Sequence, residues 1–129
     1  MSRDNLAVVR AAYGALEGSG VEAFSEYWSD DIEWRTMRAR WGGKAAGRAY
    51  LQELLDLFDD FTTEVVDLIK AGDEHVVAYL RYSGRSKRSG VPVPPEYFAI
   101  AMRLRDGKIM HAREYATREE AVEAVGLRE

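Results

Sequence analysis

Apolar residues recur along this chain with two different periods. Between Asn5 and Glu17, Leu6, Val9, Tyr13 and Leu16 stand three and four residues apart, the spacing that gathers side chains on one helical face. Gly18-Ser19-Gly20 ends that helix, and Ser19 with Glu22 has the form of a capping box opening a second, short helix through Val21, Phe24 and Trp28. Asp30 and Asp31 break the pattern. Ile32, Trp34 and Thr36 then alternate with Glu33 and Arg35, which predicts a strand with one covered face. The stretch 38–47, basic and glycine-rich, reads as a loop or rim. Leu51, Leu54, Leu55 and Phe58 restore helical spacing over 48–58, and Asp59-Asp60 closes that third helix.

Beyond this point the period is two. Residues 62–68, 75–83, 97–105 and 108–115 are β-branched or aromatic runs of strand length. They are separated by Ala71-Gly72-Asp73, by a Gly/Pro segment over 84–95, and by Asp106-Gly107, the strongest turn signal in the chain. The three prolines of the Gly/Pro segment keep part of that hairpin at a sheet edge. Thr117 and Glu120 form another capping box before Ala121, Val122 and Val125, predicting a short terminal helix that stops at Gly126. Helices first and hairpin-linked strands afterwards make an α+β fold, and the lack of βαβ alternation disfavours a doubly wound nucleotide fold. The expected form is a cone, a curved antiparallel or mixed sheet wrapped around the N-terminal helices.

Alternation assigns faces. Val76, Ala78, Leu80 and Tyr82 share one side and Phe98, Ile100, Met102 and Leu104 another such set, both directed inward. Val77, Tyr79, Ala99 and Ala101 face outward as a mixed apolar surface that needs cover; a second copy could supply it, so a homodimer through the sheet is expected. On the last strand Met110, Ala112, Glu114 and Ala116 oppose His111, Arg113 and Tyr115, and either face can be the wetter one.

Composition narrows the chemistry. With 129 residues the chain is expected to be one domain, large enough to bury about two thirds of its extended surface. It has no cysteine, which removes disulfides, zinc-thiolate sites and thiol nucleophiles. No apolar run approaches the roughly 18 residues of a membrane span, and Met1-Ser2-Arg3-Asp4 opens no signal peptide, so a soluble, cytoplasmic protein without membrane association is expected. The net charge of −4 is a poor footprint for nucleic acid, and Arg81, Arg85, Lys87 and Arg88 read as a solvated hairpin tip. His75 and His111 show no metal-ligand spacing, and no phosphate loop is present; no metal or cofactor is expected.

If Glu114 faces the apolar interior, desolvation raises its pKa and makes it a candidate acid or base; the alternative is a rim glutamate paired with arginine. Tyr13 on the first helix is a candidate hydrogen-bond donor to a ligand oxygen, or else a core tyrosine. The expected pocket wall comprises Trp34, Thr36, Leu54, Leu55, Phe58, Ala78, Leu80, Tyr82, Ile100, Met102 and Ala112. Trp28 is assigned to the core and Trp41 to a loop that could close the opening.

The order of segments AAYGALEGSGVEAFSEYWSDDIEW, GGKAAGRAYLQELLDLFDDF, EVVDLIKAGDEHVVAYLRYSGR and LRDGKIMHAREYATREEAVEAVGL resembles SnoaL-like proteins, within the ketosteroid-isomerase-like, nuclear-transport-factor-like superfamily. The resemblance spans nearly the whole chain. It implies a single domain over 1–129 with a cystatin-like α+β barrel, a deep hydrophobic pocket and usually a dimer. Tyr13 falls where the isomerase has its oxyanion-hole tyrosine. The isomerase general base falls at Thr36 and its second acid near Ile100, and neither residue can take that role, which argues against steroid isomerase chemistry. No counterpart of the Asp-Arg-Asp arrangement of limonene-epoxide-hydrolase-like members is found. SnoaL-like cyclases use an acid near the end of the sheet as the base for aldol closure, and Glu114 matches it by position.

The expected activity is therefore binding of a small apolar or polyketide-like molecule, with acid/base cyclisation or isomerisation of a carbonyl compound. A noncatalytic binding homodimer, and a structural dimer whose cavity is filled by Trp34, Met102 and Leu80, are the alternatives.

Overall fold

A computed structural model describes residues 4–37 and 39–126; the first three residues, read above for a signal peptide, lie outside them. Helix α1 (Asn5–Ser19) starts at Asp4, whose carboxylate accepts the Leu6 N–H at 3.1 Å, and it buries Val8, Val9, Ala12 and Tyr13. It stops at Gly20, whose φ of 96° lies in the region open to glycine. Gly20 also caps α2 (Val21–Ser25), so Ser19 ends one helix and the Ser19–Glu22 box does not form. Trp28 opens β1 (Trp28–Arg35), with Asp30 and Asp31 inside the strand at exposed positions where water still solvates them.

The stretch read as a loop contains β2 (Arg40–Gly42), followed directly by α3 (Lys44–Leu55). Phe58 leaves the helix and begins β3 (Phe58–Ala71), which also takes Asp59 and Asp60. Strands β4 (His75–Ser86), β5 (Pro92–Arg105) and β6 (Lys108–Tyr115) follow, and α4 (Arg118–Ala124) carries the Thr117–Glu120 capping box. The prolines fall within β5, not between strands. They are tolerated there because β6 pairs with β5 only from Ala99 to Arg105, leaving the first part of β5 an edge on that side.

The strands form one mixed sheet in the order β2-β1-β6-β5-β4-β3. Strands β3 to β6 are an antiparallel meander, and β1 lies parallel to β6, with Trp34 beside Ala112 and Arg35 beside Arg113. This corrects the expected cone and barrel: the sheet is open. Its two edges, β2 and β3, are separated by four strands and do not pair with each other. The edges are protected instead by the shortness of β2 and by Asp59, Asp60, Glu64 and Asp67 along β3.

Helices α1–α3 cover one face of the sheet. Between them lies the main core, where Val76, Ala78, Leu80, Ile100, Met102, Leu104, Ile109 and Ala112 meet Val9, Ala12, Phe24 and Trp28. Ile109 enters that core because Leu104 pairs with Ile109 and Arg103 with His111, which leaves Met110 as the extra residue of a bulge. The strict alternation expected on β6 therefore holds only from His111 onward. The opposite face has its own smaller core: Val77, Ala99 and Ala101 pack with Ala121 of α4. Over that patch the terminal helix supplies the cover expected from a second copy. No helix among the described residues is long and apolar enough to cross a membrane.

Candidate functional site

A cavity of about 310 Å³ opens between α1, α3 and the end of the sheet where β6 stops and β3–β5 run on. Tyr13, Leu16 and Phe24 reach it from α1 and α2, and Leu51, Leu54 and Leu55 from α3. Phe61, Thr63, Tyr82, Glu96, Tyr97 and Phe98 come from β3–β5, and Glu114 with Ala116 from the end of β6. The lining is mainly hydrocarbon and aromatic, with a few polar groups among it, the usual make-up of a small-molecule site.

Glu114 lies on the inward side of β6, paired across the strands with Ile100. Its carboxylate accepts a hydrogen bond from the Trp34 indole N–H at 3.2 Å. Burial pushes its pKa above the ordinary carboxylate value, against the opposing pull of the Trp34 bond and of a backbone hydrogen bond from Met37. Tyr13 is 4% exposed. Burial raises its phenol above the usual value, and the nearby charge of Glu114 adds to the effect, so the hydroxyl keeps its proton and remains a donor. Among the described residues that hydroxyl has no hydrogen-bond partner.

Trp34 is thus behind the cavity wall, not part of it. Its ring stacks on Trp41 at 5.4 Å and 17°, and Trp41 in turn lies 5.5 Å from Trp28 and 6.3 Å from Tyr50. Trp41 is fixed in β2 by these rings and does not stand over the opening. At the mouth, the Tyr82 hydroxyl donates to Glu96 at 2.7 Å, across a register pair of β4 and β5.

Of the residues expected around a pocket, Tyr13, Leu54, Leu55, Tyr82 and Glu114 line the cavity. Ala78, Leu80, Ile100, Met102 and Ala112 face the same side but lie in the close-packed core beneath it. Thr36 sits in the turn after β1, where its hydroxyl donates to the Ala39 carbonyl and accepts the Ala39 N–H. Phe58 lies at the start of β3 against Phe61, at 5.5 Å. Phe61, Glu96, Tyr97 and Phe98 were not anticipated as lining. Of these Phe98 carries a sequence signal, its place in the inward alternating set of β5; Leu16, Phe24, Leu51 and Ala116, which also line the cavity, likewise stand in the helical or alternating sets read from the sequence. Among the described residues no group of three His, Asp or Glu side chains is placed to hold a metal ion.

The profile of the SnoaL-like domain family matches residues 9–112. Several solved structures share the fold. A putative SnoaL-like polyketide cyclase from Jannaschia sp. superposes with a TM-score of 0.76 at 14% identity, covering 100% of this chain and 99% of its own. A putative polyketide cyclase from Xanthomonas campestris gives 0.73 at 19% identity over 95% and 96%. A hypothetical protein of ketosteroid-isomerase-like fold from Catenulispora acidiphila, crystallised with trimethylamine, gives 0.75 at 18% identity over 99% and 96%. No curated protein matches the chain. A family profile spanning most of the sequence and this agreement in fold place the chain in the SnoaL-like domain family.

Proposed function

We propose that the cavity binds a small apolar molecule bearing a ketone and that Glu114 and Tyr13 perform acid/base chemistry on it. The observation that carries this reading is the pairing of the buried Glu114 carboxylate, of raised basicity, with the protonated Tyr13 phenol in a mainly apolar cavity. Glu114 takes a proton from the carbon next to the carbonyl, and the electron pair of that C–H bond moves to the carbonyl oxygen as an enolate. Tyr13 donates a hydrogen bond to that oxygen, which stabilises the developing charge more than the ground-state carbonyl. Where a β,γ double bond extends the enolate, return of the proton at the γ-carbon moves that bond into conjugation and completes an isomerisation. Attack of the enolate carbon on a second carbonyl of the same molecule, with the proton passing to the new alkoxide, completes a ring closure. The fold-level likeness to putative polyketide cyclases supports the second outcome, and the trimethylamine complex of one neighbour supports occupancy by small molecules.

The test is exchange of α-protons of 2-tetralone in heavy water, followed by NMR. The wild-type chain should accelerate exchange. Glu114→Gln should lose about 10²–10⁴-fold of that acceleration, and Tyr13→Phe somewhat less, as expected for removal of a base and of one oxyanion donor. Binding with no acceleration in the wild type, or acceleration unchanged in Glu114→Gln, would overturn the catalytic reading. The former result favours the noncatalytic binding module, a reading supported by the engagement of Thr36 in its turn, away from the cavity.

A further inference from the structure

On the face of the sheet turned away from the cavity, Arg35 of β1 is paired in register with Arg40 of β2 on one side and Arg113 of β6 on the other. Three guanidinium stems therefore stand in a single row across adjacent strands, two strand spacings or roughly 10 Å from end to end. All three side chains are exposed, and none forms an ion pair among the described residues. Other basic residues of the chain do find acids: Arg81 binds Glu64 at 2.8 Å, Arg103 binds Glu74 at 3.0 Å and Arg118 binds Asp67 at 3.0 Å. Arg113 instead lies over the Tyr115 ring at 5.0 Å.

Like charges directly opposite one another on neighbouring strands destabilise a sheet. The row thus concentrates positive charge, at a cost to the fold, in a chain whose overall balance is −4. It borders a hollow of about 310 Å³, whose other lining includes Glu33, Trp41, Gly42 and His111. Among the described lining residues Glu33 is the single carboxylate, so three arginines leave a clear positive surplus. Guanidinium forks match oxyanions bidentately, and a row of three spans more than one phosphate or carboxylate engages.

We propose that this hollow is a binding site for a diphosphate group, with Arg35 at its centre and Arg40 and Arg113 at its ends. It is separate from the cavity, whose own charged lining residues, Glu96 and Glu114, would repel such an anion. Calorimetric titration of the whole chain with inorganic pyrophosphate tests the assignment. Saturable binding is expected, weakened at least about tenfold by Arg35→Gln or Arg113→Gln and weakened further by added salt. Arg88→Gln, on the hairpin tip, should change affinity by less than about twofold, and Glu114→Gln should leave it intact. Inorganic phosphate should bind about tenfold more weakly than pyrophosphate, because it engages fewer forks. Arg35→Gln should also raise the thermal midpoint of the ligand-free chain by relieving repulsion, which separates lost binding from lost folding. No saturable binding, or equal weakening by Arg88→Gln, overturns the proposal. So does a dimer that Arg35→Gln dissociates in the absence of any pyrophosphate binding, since the face would then belong to a second copy.

Discussion

Burial keeps a proton on Glu114 at pH values where the same carboxyl in the unfolded chain has already lost it. Over that interval the folded state binds more protons than the unfolded one, so stability falls as pH rises from the unfolded carboxylate range through the raised value, and levels off above it. Glutamine in this position has the same shape and does not titrate. The thermal midpoint of Glu114→Gln should therefore stay close to that of the wild type at acidic pH and exceed it above the raised value. Proton abstraction needs the ionised carboxylate, so the exchange rate of the proposed reaction should rise over the interval in which stability falls. In thermal denaturation and exchange rates measured across the same pH series, the midpoint of the rate increase should fall at the pH where the stability difference levels off. A stability difference that is flat with pH would show that Glu114 has no raised pKa. Tyr13, held above its ordinary value, should contribute no downturn below the usual phenol range.

Helix α3 is seated against aromatic rings at Gly47, where a Cβ would come within 2.1 Å of Trp41 Cζ3 and 2.8 Å of Trp28 Cζ3. Trp41 stacks on Trp34, and Trp34 holds Glu114, so pressure at this contact is transmitted toward the carboxylate through packed rings. Gly47→Ala should lower stability by about 1–3 kcal/mol despite the higher helix propensity of alanine, measured by urea denaturation. Unchanged stability would mean that the rings are free to retreat. The apolar spacing of α3 was legible in the sequence, but the need for glycine on it was not, because the rings that impose it come from strands elsewhere in the chain. The same distinction runs through the sheet. Turn signals such as Asp106-Gly107 announced the hairpins, whereas the parallel seating of β1 on β6 is a long-range pairing that no local pattern encodes. Alternation likewise identified the faces of Leu80 and Met102 but not their depth. They lie where α1 and α2 press on the sheet, while Phe61 and Phe98 lie where that cover ends and the cavity begins.

At the scale of the molecule, the two faces of the sheet are closed by different means, and the closure of the outer face by seven residues of α4 bears on assembly. That helix is held by its capping box, by the Arg118–Asp67 ion pair, by Arg118 lying 5.2 Å over the Tyr79 ring, and by Ala121 buried against Val77, Ala99 and Ala101. A helix this short is not stable alone, so its place depends on the apolar contact. Ala121→Asp puts an unpaired charge into that contact and should detach the helix, exposing the apolar patch beneath it. Sedimentation velocity should then show concentration-dependent association that the parent chain lacks at the same concentrations. Arg118→Ala, which removes only half-exposed polar contacts, should leave the association state of the parent unchanged. If Ala121→Asp associates no more than the parent, Val77, Ala99 and Ala101 are not an adhesive surface, and the reason for expecting a second copy at this part of the sheet disappears with them. If it does associate, α4 acts as the internal substitute for a partner, leaving the arginine row at the β2–β1–β6 end as an exposed charged part of that face.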